Sequence, residues 1–144
     1  MGGNLKKTFL VEKSILIIIG NLVMTEDQLE QCALEYGKQL AFSIQTQPFG
    51  PDCEVFKIFD KMFMLIGAYS GKLLVTIKCK PEKSLEYQEL YPSISAGYHM
   101  NKKHWISIAS GDEITADLLQ DLIKDSYDLV VKQLPVKTRK LINQ

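Results

Sequence analysis

Between residues 54 and 79 apolar and polar side chains alternate along runs that are twice broken by turn formers, and this pattern constrains the fold more than any other feature of the chain. Residues 54–59 and 62–68 read as strands joined by a tight turn at Asp60-Lys61, and Ser70-Gly71 turns the chain into a third strand over residues 72–79. In that third strand Leu73, Val75, Ile77 and Cys79 fall on one face, with Leu74, Thr76, Lys78 and Lys80 on the other. Such a sheet needs helices over its apolar face and leaves the opposite face partly wet.

The helices are also legible. Thr25-Glu26-Asp27-Gln28 fits a capping box, Met24 is placed to staple onto Leu29, and Leu29, Cys32, Ala33, Tyr36 and Leu40 recur at helical spacing up to a stop near Gly37. Pro48, Gly50 and Pro51 mark a loop over residues 45–52. Pro81 followed by Glu82 opens a short helix that Tyr91-Pro92 closes. Residues 94–100 and 104–109 predict a second hairpin with Asn101-Lys102-Lys103 at its tip. Thr115 then starts a last helix whose apolar stripe is Leu119, Leu122, Ile123, Tyr127, Val130 and Leu134. The class is α+β, an antiparallel sheet of about five strands packed against helices.

At 144 residues with 46% hydrophobic content, the chain holds one good core, and residues 24–144 are read as a single domain. Residues 1–23 are read as an N-terminal extension or as the product of a start set too early. Lys6 and Lys7 before the apolar run from Ile15 to Ile19 imitate a signal peptide, but Glu12 and Lys13 interrupt it, and the run is far short of the ~20 residues of a membrane span. Cys32, Cys53 and Cys79 are odd in number and widely spaced, as expected of reduced thiols in a cytoplasmic protein, with Cys79 lining the core.

Catalytic signatures are missing from the sequence: there is no Gly-rich phosphate loop, no G-x-S-x-G elbow and no H-E-x-x-H helix. His99 and His104 have neither cysteine nor carboxylate beside them in sequence, so no metal site is assigned to the pair. No cofactor is expected. The net charge of zero hides a separation. Lys57, Lys61, Lys72, Lys78 and Lys80 face Asp60 alone, Lys102 and Lys103 add to them, and between residues 112 and 128 six acids face only Lys124. Basic hairpins could thus track phosphates while an acidic last helix points away; lysines on strands also blunt sheet edges and keep a domain soluble.

Residues 98–105 carry two readings. As a binding segment, Asn101 bonds a base edge or phosphate, Lys102 and Lys103 neutralise phosphates, and Tyr98, His99 or Trp105 stacks on a base. As architecture, Trp105 and Tyr98 anchor the hairpin, His104 satisfies a backbone carbonyl, and Asn101 serves a turn. The architectural reading is the stronger for Trp105.

The stretch Gly97-Tyr98-His99-Met100-Asn101-Lys102-Lys103-His104-Trp105 resembles the G-Y-H-M-N-K-x-H-W segment of the MmcQ/YjbR family. Val55-Phe56-Lys57 through Lys61-Met62-Phe63 resembles that family's V-F-K-x-x-x-K-M-F hairpin, Leu74 to Cys79 its L-x-L-K-C strand, and Ser126-Tyr127 to Leu134-Pro135 the end of its last helix. The resemblance spans roughly residues 24–136. It implies a CyaY-like fold, similar to frataxin, and a DNA-binding role with no catalysis. Lys57, Lys61, Lys78, Lys80, Tyr98, His99, Asn101, Lys102, Lys103 and His104 are then the candidate DNA contacts. Two alternatives stay open: frataxin-like cation binding, by Glu26, Asp27, Glu30 and Glu35 or by the acidic last helix, and a protein-interaction module.

Overall fold

The computed structural model describes residues 23–98 and 100–143. The readings of residues 1–22, of His99 and of any pairing of His99 with His104 lie outside the described residues. Helix α1 (Glu26–Gln39) opens on the expected capping box: the Thr25 hydroxyl accepts from the Gln28 amide, and Gln28 Oε1 accepts from the Thr25 amide at 2.9 Å. Met24 and Leu29 share the main core, as a staple requires.

Six strands follow the order β1-β2-β3-β4-β6-β5, all neighbours antiparallel. Strands β2 (Cys53–Ile58), β3 (Lys61–Tyr69) and β4 (Lys72–Lys78) form the expected meander. Phe59 and Asp60 both take positive φ, as do Ser70 and Gly71, which is what two-residue hairpin turns demand. The first turn therefore sits one residue before the expected Asp60-Lys61. β1 (Ser43–Thr46) was not expected. It is an edge strand pairing with β2 over residues 43–46, so the loop begins at Gln47 rather than Gln45.

Helix α2 (Pro81–Leu90) precedes β5 (Ile94–Ala96) and β6 (Trp105–Ile108); α3 (Ala116–Lys132) and a short, unexpected α4 (Val136–Ile142) complete the chain. Helices α1 and α3 cover one face of the sheet, where Phe56, Phe63, Met64, Ile77, Ile106, Leu119 and Ile123 are fully buried. Ser126 stitches helix to sheet: its hydroxyl donates to the Phe63 carbonyl at 2.6 Å and accepts from the Lys78 amide at 2.8 Å. Two backbone groups next to the end of the β3–β4 ladder are thereby satisfied.

The second hairpin departs from expectation. Its paired strand stops at Ala96, and Gly97, Tyr98 and residues 100–104 form a strap rather than strand. The Tyr98 amide donates to Ser107 Oγ at 3.0 Å, and that hydroxyl also shares a buried bond with Thr76 Oγ1. Met100 packs on Val55, Leu65 and Trp105, a second, smaller core on the face the helices leave open. Gly97 makes the departure possible, because a Cβ there would stand 2.5 Å from that of Trp105.

Candidate nucleic-acid interface

Antiparallel pairing decides which loops meet. Ile58 pairs with Lys61, Met64 with Ile77, and Lys78 with Trp105, so the β2–β3 turn, the exit of β4 and the entry to β6 share one end of the sheet. Lys57, Lys61, Lys78, Lys80, Asn101, Lys102, Lys103 and His104 are gathered there. The Ser70-Gly71 turn lies at the other end, and takes Lys72 with it.

Both long helices run from that other end towards the basic one. Glu26, on the first turn of α1, accepts the Leu73 amide at the start of β4, while Gln133, capping α3, accepts from Lys78 Nζ at 2.8 Å. Lys38 and Lys132 in the last turns of α1 and α3 therefore join the basic end, and α4 starts there with Lys137, Arg139 and Lys140 nearby in sequence. Glu26, Asp27, Asp52, Glu54, Asp112, Glu113 and Asp117 belong to the opposite end. Charge is not divided between the hairpins and the last helix as expected; lysines gather at one end of the strands, where Asp60 in the β2–β3 turn and Asp125 and Asp128 of α3 lie among them. Helix α3 is acidic where it starts and basic where it stops. The helix dipole accounts for the charges on helix termini; it does not account for lysines on strands and loops.

The candidate residues divide. Lys61, Lys80, Lys102, Lys103 and His104 are exposed, whereas Lys57 and Lys78 are half-buried and Lys78 is tied to Gln133. Asn101 makes the tip: its Oδ1 accepts from the Lys103 amide at 3.0 Å and its carbonyl from the His104 amide. The His104 carbonyl accepts from the Cys79 amide at 2.8 Å, fixing the tip against the end of β4. Trp105 is 8% exposed and belongs to the strap-side core. Tyr98 stands apart from Lys61. Its ring lies 4.8 Å from that of Tyr69, at the far end of the nine-residue β3 from Lys61, a strand of ~27 Å at 3.3 Å per residue. There Tyr98, Tyr69, Phe49 and Met100 line an open groove of about 360 Å³.

Burial pushes the Cys79 thiol up to about 11, with Asp125 and Glu82 adding to the effect, so it is protonated at neutral pH. Among the four acids of α1 that a frataxin-like cation site would use, Glu26 accepts the Leu73 amide and Glu35 accepts from Gln31 Nε2 at 2.8 Å. Lys38 and Lys132 were missed as members of the basic end, as was α4, which starts beside it. The signal was available: counting strand reversals places successive hairpin turns at alternate ends of a meander, and Lys137-Thr138-Arg139-Lys140 is a basic run.

An antiparallel sheet with two parallel helices on one face and a Gly97-to-Trp105 strap on the other defines a class that known proteins share. The YjbR family model matches residues 39–129, and the chain belongs to that family. It is 45% identical over 119 residues to YbdF of Escherichia coli O157:H7, covering 83% of this chain and 98% of that one. It is 25% identical over 88 residues to YjbR of Escherichia coli K12, covering 61% and 75% of the two chains. A crystal structure of a Deinococcus radiodurans protein with a DUF419 domain superposes with a TM-score of 0.70 at 31% identity, covering 87% of this chain and 91% of that one. A Pseudomonas syringae protein gives a TM-score of 0.60 at 26% identity, over 74% and 98% of the two chains.

Proposed function

We propose that this protein binds DNA through the basic end of its sheet, without catalysing a reaction. One observation carries the reading: exposed lysines distant in sequence, Lys61, Lys80, Lys102 and Lys103, converge on one end of the molecule with Lys38 and Lys132 behind them. The lysines contact phosphates, and Asn101 and His104 at the strap's tip supply what base contact there is. The Tyr98 ring lies against Tyr69, on the groove that Phe49 and Met100 also line.

Fluorescence anisotropy with labelled single- and double-stranded DNA tests the proposal. Dissociation constants of about 10⁻⁴ to 10⁻⁶ M at physiological salt are expected, the range of non-specific phosphate binding. Absence of binding to either form at low salt would leave a protein-interaction or cation-binding role in its place.

A further inference from the structure

On the face of the sheet that the helices leave open, at the end of β3 away from Lys61, the groove of about 360 Å³ is walled by three aromatic rings. Tyr69, the last residue of β3, folds back over Gly67, where a Cβ would meet the Tyr69 hydroxyl at 3.5 Å and the Asp52 carbonyl at 3.2 Å. Glycine thus lets ring and loop close on the strand. Tyr98 leans on Tyr69 with the ring planes tilted by 49°. Phe49, on the loop before β2, is 72% exposed and makes no ring contact among the described residues, so it stands off from the tyrosine pair on the rim of the groove.

Charge in this groove has one sign. Asp52 is its only charged group among the described residues; the residue is exposed, and its carboxylate has no cation within 4.0 Å. A second groove of about 400 Å³ shares Asp52 and Ala68 with the first and adds Glu30 and Glu54. Lys72 lies opposite Tyr69 in the β3–β4 ladder but lines neither groove. The negative faces of aromatic rings attract cations, and the attraction grows when water is excluded. A lysine ammonium is strongly hydrated. A quaternary ammonium sheds water more readily, and its methyl groups also suit Ala68 and Met100, which line the same groove.

We propose that this groove binds a small organic cation carrying a quaternary ammonium head. The head lies between Phe49 and the pair formed by Tyr69 and Tyr98, and Asp52 neutralises its charge. The volume falls at the lower end of the ~300–1,000 Å³ of small-molecule pockets. With carboxylates alone around it, the groove selects a ligand of net positive charge and disfavours a zwitterion with the same head. The site does not rest on the DNA reading, whose anionic partner demands the opposite charge, and its test contains no nucleic acid.

Calorimetric titration of the full chain with choline is the experiment. The comparison ligands are 3,3-dimethyl-1-butanol, which keeps the shape without the charge, and glycine betaine, which adds a carboxylate to the same head. Choline is expected to bind with a dissociation constant at or below about 1 mM, and each comparison ligand at least roughly tenfold more weakly. Asp52→Asn and Phe49→Leu, both at exposed positions and checked by thermal melts, should each lose roughly threefold or more in choline affinity while melting normally. No heat with choline, binding of the neutral alcohol or of betaine as tight as that of choline, or an unchanged affinity in either variant overturns the proposal.

Discussion

The two ends of the sheet are made by the same strands and the same two long helices, yet the fold uses their charges differently. At the acidic end the glutamates are occupied: Glu26 holds the Leu73 amide, Glu113 holds the Ser93 amide at 2.7 Å, and Glu54 accepts from Gln45 and Gln47, whereas the aspartates there make no such bond among the described residues. At the basic end Lys61, Lys80, Lys102 and Lys103 make no side-chain hydrogen bond or ion pair among the described residues, and Lys78 alone among the candidate lysines is committed, to Gln133. Charge bound to backbone amides is part of the architecture. Charge left over by the architecture is available to a partner. The glutamates of the acidic end should therefore reveal themselves in stability and the basic end in binding.

Trp105 is the sharpest way to break this division, because it lies at the basic end among the candidate contacts and is nonetheless buried. Trp105→Ala is expected to cost about 3–5 kcal/mol in a denaturant melt, by emptying the core it forms with Val55 and Leu65. If the melt is untouched while DNA binding disappears, the ring is an exposed stacking platform and its role here is reversed.

Next in size is the double reversal Lys102→Glu with Lys103→Glu, which should weaken DNA binding roughly tenfold to a hundredfold and shift stability by no more than ~0.5 kcal/mol. Lys72→Glu is the matched control, since the β3–β4 turn carries Lys72 to the acidic end. It should leave binding unchanged. Equal losses from both ends would mean that overall charge, and not its placement, governs the interaction.

At the acidic end, Glu113→Gln should cost about 1 kcal/mol, because a neutral amide accepts the Ser93 amide less strongly. The hydrogen bond from Ser93 holds the Glu113 carboxyl below its ordinary value. A lowered folded value means that the contribution is complete above the ordinary carboxylate value and is lost as pH falls through the folded one. Melts of Glu113→Gln against pH should show a flatter acid limb than the parent and the same DNA affinity. The smallest effect belongs to Asn101→Ala, at most ~1 kcal/mol in stability for a lost turn bond, with a measurable loss of binding.

Much of the scaffold was legible because local chemistry and tertiary structure agree. The capping box at Thr25, the Ser70-Gly71 turn, the β4 alternation, Pro81 at the head of α2 and the α3 stripe all appear where the residues place them. β1 was not legible, since an edge strand of four residues is specified by backbone pairing to β2, and its Ile44 is 60% exposed. The strap was missed for a different reason. Alternation continues through Gly97, Tyr98 and Met100, so the segment reads as strand; the Gly97 amide still bonds the Trp105 carbonyl, and the chain leaves the ladder at Tyr98, whose amide turns to the Ser107 hydroxyl, a tertiary fact. The candidate lysines were individually readable, but their grouping depends on which turns share an end, and that separates Lys72 from Lys61.

Salt dependence of DNA affinity measures the central claim most directly. With four or five lysines on phosphates, log K against log salt should fall with a slope near about −4, and Lys102→Glu with Lys103→Glu should flatten it by about two while Lys72→Glu leaves it unchanged. A slope near zero for the parent chain, or one that Lys72→Glu alters as much as the tip substitutions do, would contradict a phosphate-binding end.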